Sequence, residues 1–158
     1  MNDAASTRDG LPPWTMALGL GGLIPFIACT AVMLAVPEAG TRDLAGRALL
    51  GYGAVILSFL GGVHWGLVLQ GPTSRGARML VIGVIPSLAG WIALLLPFES
   101  AAAIQVGAFG AFWLYEHRVL GPAVLPPAYL ALRRRLTLGV IASLGLALMA
   151  PSLSPVTS

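Results

Sequence analysis

Charged residues are scarce in this chain, and lysine is absent. Charged residues make up 9% of its 158 residues, whereas hydrophobic residues make up 57% and the mean hydropathy is +0.87. A soluble domain carries about 25% charged residues, which keep its surface hydrated. The shortage of charge therefore excludes a soluble globule and predicts an integral membrane protein.

Other absences narrow the function. Cys29 is the only cysteine, so an intramolecular disulfide is excluded. Hydrolytic triads, phosphate-binding loops and dinucleotide fingerprints are missing, and two histidines without cysteine or carboxylate companions do not make a zinc site. The net charge of +3 is spread along the chain rather than gathered on a dense basic face, so nucleic acid is not an expected partner. We expect no enzymatic activity, no metal and no cofactor.

Five apolar runs have roughly the 20-residue length that crosses a hydrocarbon core of about 30 Å. They cover residues 14–36, 45–69, 77–96, 101–120 and 128–150. A proline lies just past each run, at Pro37, Pro72, Pro97, Pro122 and Pro151, where a helix would stop. The sequence therefore predicts an all-α bundle of five transmembrane helices in one domain, 14–150, with tails 1–13 and 151–158. The fifth run has arginines in its first part, so four spans and a re-entrant tail are the alternative.

Arginine positions predict the orientation of the bundle. With the amino terminus in the cytoplasm, seven arginines lie inside and only Arg42 and Arg47 lie outside. This bias predicts a cytoplasmic amino terminus and an outside carboxyl terminus. The first run is too long for a signal peptide and lacks a clear cleavage site, so we expect it to be retained.

Small residues four positions apart predict where helices approach closely, because helices in lipid associate through such surfaces. The second run carries Ala54, Ser58, Gly62 and Gly66, the third Gly83 and Ser87, and the fourth Gly107. Pro25 and Pro86 lie near the middle of the first and third runs and predict kinks. The kinks serve either packing geometry or a hinge or cavity.

Four segments together resemble a known family. They are GLIPF at 22–26, YGAVILSFLGGVHWG at 52–66, IPSLAGW at 85–91 and PPAYLALRRRLT at 126–137. The chain is similar to bacterial members of domain of unknown function 3429 (DUF3429), a transmembrane protein 69-like family, over nearly its whole length. The resemblance implies a multi-pass protein of a bacterial inner membrane or of mitochondria, and it implies no activity.

One histidine in an apolar run is a candidate site, because an ionisable side chain at membrane depth is a functional candidate by default. His64 lies in the second run, and Tyr115, Glu116 and His117 end the fourth run on the same side. Three interpretations stay open. His64 is a structural residue bonded to a backbone carbonyl, or it forms a proton or ion site with Glu116, or both histidines hold a haem.

The run of Arg133, Arg134 and Arg135 is typical of an interfacial anchor on the cytoplasmic side, with anionic lipid or an acidic partner surface as the alternative ligand. The leading hypothesis is an accessory, assembly or structural factor of the bacterial inner membrane. It would act through helix contacts with another membrane protein. A small proton or ion channel using His64 and Glu116 is the alternative.

Overall fold

In a computed structural model, the described residues are 12–69, 76–121 and 125–150, and every regular element among them is helical. The helices are α1 (Pro13–Gly21), α2 (Ile24–Ala35), α3 (Ala39–Leu69), α4 (Gly76–Ala93), α5 (Phe98–Tyr115) and α6 (Pro127–Ala147). α5 continues into a π-helical segment, Glu116–Leu120, which ends at Gly121 with φ +53°. The predicted all-helical class is confirmed for these residues. Residues 1–11 and 151–158 of the predicted tails lie outside them.

Three helical segments among the described residues are long and apolar enough to cross a membrane. They are Trp14–Ala35, Ala39–Leu69 and Gly76–Ala93. α5, which carries Glu99 and Gln105, and α6, which carries three consecutive arginines, are not among these three. Large apolar side chains such as Val81, Ile85 and Trp91 cover the outside of α4. A helix that is apolar on its outer face as well as its inner one fits a lipid surround.

The first predicted span consists of two helices rather than one kinked helix. α1 ends at Gly21, and Pro25 lies in the first turn of α2. Proline is tolerated there because the first N–H groups of a helix have no partner within it. At the break, the Tyr52 hydroxyl donates a 3.1 Å hydrogen bond to the Gly22 carbonyl. Pro86 lies inside α4, where it removes one backbone hydrogen bond.

α3 is the longest described helix, and it contacts α2, α4 and α5. It begins six residues before the predicted span, so it carries Arg42 and Asp43 on a polar first part. At 1.5 Å per residue it measures about 46 Å, which exceeds a hydrocarbon core of about 30 Å. The main core forms between α2, α3, α5 and α6, and its fully buried large side chains are Phe26, Met33, Leu49, Leu57, Phe109 and Leu144.

α3 and α4 approach each other closely at glycine. A Cβ added at Gly61 would collide with the Gly83 carbonyl oxygen, and a Cβ added at Gly83 would lie 2.8 Å from the Gly61 carbonyl oxygen. Further along the helix pair, a Cβ added at Gly90 would lie 2.9 Å from Ala54 Cα. The predicted small residues Ala54 and Gly83 therefore line the seam between α3 and α4, together with Gly61 and Gly90.

The other predicted packing residues of α3 face outward, which corrects the predicted seam. Ser58 and Gly62 are exposed, Gly66 is half-buried, and a Cβ at either glycine meets no described atom within 4 Å. Residues four positions apart turn by about 40° per step around a helix, so the row leaves the α4 contact after Ala54. We call Ser58, Gly62 and Gly66 the outer stripe.

Two predicted packing residues on other helices are not fully buried. Gly107 of α5 is exposed, and a Cβ there meets no atom of the described residues within 4 Å. Ser87 of α4 is half-buried. Small residues four positions apart therefore predict a helix face that allows close approach, but they do not predict which neighbouring helix packs on it.

Candidate functional site

A buried ion pair joins the end of α5 to α6. Glu116 opens the π-helical segment and is fully buried, and Arg133 in the second turn of α6 is 4% exposed. Arg133 Nε donates to Glu116 Oε2 over 2.7 Å, and Arg133 Nη1 donates to Thr137 Oγ1 over 2.7 Å. We call Glu116, Arg133 and Thr137 the ion-pair cluster.

The spacing of α6 explains why Arg133 alone of the three arginines turns inward. The buried side chains of this face recur three or four residues apart, at Leu130, Arg133, Thr137, Val140 and Leu144. Each residue turns by about 100°, so the two following arginines leave that face. Arg134 and Arg135 are exposed, and an anchoring role for them stays a prediction. For Arg133 the predicted anchor is wrong, because its guanidinium is buried against Glu116.

The charges of the ion-pair cluster depend on each other. Moving a guanidinium or a carboxylate out of water costs several kcal/mol per ion, and only a well-bonded partner offsets that cost. In an apolar helix an arginine is tolerated where a partner neutralises it. The Glu116 carboxylate is that partner, so the pair fixes the end of α5 against α6.

His64 of α3 lies in the interior beside the end of α5. The residue is fully buried, and its Nδ1 is 3.3 Å from the Leu60 carbonyl oxygen. Its ring centroid lies 4.8 Å from that of Phe112 and 6.0 Å from that of Tyr115. Within the described chain no hydrogen bond joins His64 to Glu116. The backbone contact predicted by the structural interpretation is thus present.

Three polar atoms in this interior keep unused hydrogen-bonding capacity. His64 Nε2, Glu116 Oε1 and Arg133 Nη2 are buried and have no hydrogen-bond partner among the described residues. Buried polar atoms in proteins are nearly always bonded, so three such atoms on neighbouring helices are unusual. An imidazole nitrogen and a carboxylate oxygen are also groups that exchange protons. The arrangement can therefore accept a small polar species or a proton.

His117 does not join His64. It is exposed on the π-helical segment, and its ring stacks on Trp113 with centroids 5.8 Å apart. A haem held by two histidines needs both imidazoles to face one apolar space, and this placement does not favour that interpretation. Across residues 12–69, 76–121 and 125–150, no three histidine, cysteine or acidic side chains are grouped to hold a metal ion.

Two buried polar side chains that were not predicted from the sequence donate to backbone carbonyls of other helices. Gln105 Nε2 of α5 donates to the Leu50 carbonyl over 2.7 Å, and Thr30 Oγ1 of α2 donates to the Ser143 carbonyl over 3.2 Å. The burial of Gln105 could have been predicted from its spacing, because it precedes Glu116 by 11 residues in one helical run. That spacing is close to three turns and places both side chains on one face.

Comparisons with known proteins give the family. A family profile described as "Protein of unknown function (DUF3429)" matches residues 11–149. The chain belongs to the DUF3429 family. Transmembrane protein 69 of Xenopus tropicalis is 32% identical over an alignment that covers 97% of this chain and 60% of that protein. The chain thus spans about 60% of the length of the curated relative it matches. No solved structure matches the chain.

The DUF3429 match confirms the predicted family and includes every residue of the ion-pair cluster, His64 and the outer stripe. The family, the relative and the three long apolar helices agree on a helical membrane protein.

Proposed function

We propose that this DUF3429 protein crosses a bacterial inner membrane five times, with its amino terminus in the cytoplasm and its carboxyl terminus outside. α5 with its π-helical extension, and α6 by itself, are each longer than about 30 Å at 1.5 Å per residue. Glu116 neutralises Arg133, so only Arg134 and Arg135 of α6 need to reach the interface. The arginine bias supports the orientation.

The role we propose is that of a non-enzymatic accessory or assembly factor, which binds another membrane protein through α3. The observation that carries this role is the outer stripe, a row of small residues left open on the bundle surface. Helices in lipid associate chiefly through close backbone packing at such residues. A partner helix could approach Gly62 as closely as α4 approaches Gly61 on the inner side.

Gly62→Leu is expected to abolish this association and to leave the chain folded, because the new side chain projects into open space on the outer stripe. The test is mild-detergent native separation of membranes with mass spectrometry of each size fraction. We expect the wild-type chain to migrate with a larger complex and the Gly62→Leu chain to migrate alone.

Gly145→Leu of α6 is the matched control, because a Cβ at Gly145 also meets no described atom within 4 Å. This variant should migrate like the wild-type chain. A wild-type chain that migrates alone, or a Gly62→Leu chain still in the complex, would contradict the proposed role.

The interior beside His64 supports a second candidate, a small proton or ion channel. The unused His64 Nε2 and Glu116 Oε1 atoms are the observation that favours it. Such a channel would give a pH-dependent flux in liposomes that contain the purified chain.

For this second candidate, His64→Ala should reduce the flux to the level of empty liposomes, because the variant removes the proton-exchanging ring. His117→Ala makes the same chemical change at an exposed position and should keep the flux. Equal flux in His64→Ala and wild type would eliminate the channel proposal.

A further inference from the structure

A cavity of about 370 Å³ lies between the beginning of α4 and the end of the α5 helical run. Its volume is within the several hundred cubic ångströms typical of small-molecule sites. Three polar side chains and three apolar ones line it: Arg78, Tyr115 and Arg118, and Met79, Val119 and Leu120. We call this space the basic pocket.

The basic pocket has a net positive lining. Arg78 and Arg118 form no ion pair with any carboxylate in the described part of the chain. Glu116, the acidic residue nearest to Arg118 in sequence, is engaged with Arg133. Two guanidinium groups from different helices can each present parallel N–H donors to one phosphate, and the Tyr115 hydroxyl can add another donor.

The apolar side of the basic pocket continues into a small hydrophobic core at the same end of the bundle. Met79 and Leu120 pack there with Leu125 and Leu130, and the last turns of α3 pack against this group. Val119 stays 46% exposed on the outside. The pocket therefore offers cationic groups beside an apolar surface, which is the pattern of a lipid headgroup site between helices.

We infer that the basic pocket binds the phosphate of an anionic phospholipid between Arg78 and Arg118, with an acyl chain along the exposed side chain of Val119. This site differs from the arginine run of α6, whose first member is buried in the ion-pair cluster. It also does not depend on the proposed partner of the outer stripe, which lies on α3.

The test is native mass spectrometry of the full chain released from micelles, with phosphatidylglycerol and phosphatidylcholine of identical acyl chains as probes. The wild-type chain should retain phosphatidylglycerol in preference to phosphatidylcholine. The double variant R78Q/R118Q should lose that retention about tenfold or more, because each arginine near the headgroups contributes to anion binding. Each single variant should lose part of it.

R47Q is the matched control for the single variants, since it removes the same charge from an exposed arginine in the first part of α3, whereas the last turns of α3 pack beside the pocket. The control should change retention by less than about twofold. An equal loss in the control and the single pocket variants would overturn the site, and so would full retention by R78Q/R118Q or by both single variants.

A second measurement separates a lipid from free phosphate as the ligand. Phosphatidylglycerol should raise the melting temperature of the wild-type chain, because a ligand that binds only the folded state stabilises it. Inorganic phosphate at the same concentration should not. If inorganic phosphate gives the same rise and displaces the lipid, the phospholipid assignment is wrong.

Discussion

Glu116→Gln is expected to lower the free energy of unfolding by about 3–5 kcal/mol, because it leaves the Arg133 charge buried without its partner. Arg133 donates to Glu116 Oε2 over 2.7 Å, and both residues are almost completely withdrawn from the surface. The measurement is equilibrium unfolding of the purified chain in mixed micelles. Few other single substitutions in this bundle should cost as much.

The paired replacement Glu116→Leu with Arg133→Met separates this cause from a simple packing defect. Both charges are then removed together, and apolar side chains of similar size fill the space. We expect a stability within about 1 kcal/mol of wild type, since hydrophobic replacement of a buried pair is often neutral or stabilising. Arg134→Met, on the exposed face of α6, should change stability by less than about 0.5 kcal/mol.

Unchanged stability in Glu116→Gln would contradict a buried ion pair between α5 and α6. A double variant that is no more stable than Glu116→Leu alone or Arg133→Met alone would assign the loss to packing rather than to charge. The cycle therefore distinguishes the two causes by the sign of the coupling between Glu116 and Arg133.

Gly61→Ala is expected to lower the free energy of unfolding by about 1–3 kcal/mol, whereas Gly62→Ala, at the next residue, should lower it by less than about 0.5 kcal/mol. The added methyl group at Gly61 would meet the Gly83 carbonyl oxygen and force α3 and α4 apart. The same methyl group at Gly62 meets no described atom within 4 Å. Because both changes are Gly→Ala in one helix, they share the same change in helix propensity.

Unfolding of the two alanine variants in the same micelles gives the comparison. Equal losses of stability at the two positions, or a larger loss at Gly62, would contradict the packing of α4 against the Gly61 face of α3. The result also tests the proposed partner surface, because a partner helix can reach the outer stripe only if α4 packs on the opposite face of α3.

The helical class and the approximate helix positions could be predicted from sequence because they depend on composition and on length relative to a bilayer. The break in the first span was also marked, since Pro25 cannot continue a helix from the preceding turn. At this break the Tyr52 hydroxyl of α3 donates to the Gly22 carbonyl. That contact lies between distant parts of the chain, and spacing within one segment does not contain it.

The candidate site could be predicted only in part, because it too depends on contacts between distant parts of the chain. His64, Tyr115 and Glu116 were recognised as polar residues at one end of their helices, and the structure places the rings of His64 and Tyr115 6.0 Å apart. The partner of Glu116 was missed because three consecutive arginines resemble an interfacial anchor. The periodicity of Leu130, Arg133 and Thr137 carried the correct signal, since only the first arginine shares their face.

Photo-crosslinking from α3 in native membranes measures directly whether the outer stripe contacts another membrane protein. A photoreactive residue would replace Gly62 in one chain and Val81, on the lipid-facing side of α4, in a control chain. We expect a crosslink from position 62 to a different membrane protein and crosslinks to lipid alone from position 81. Lipid alone at position 62, or only a second copy of this chain, would contradict an accessory factor that acts through the outer stripe.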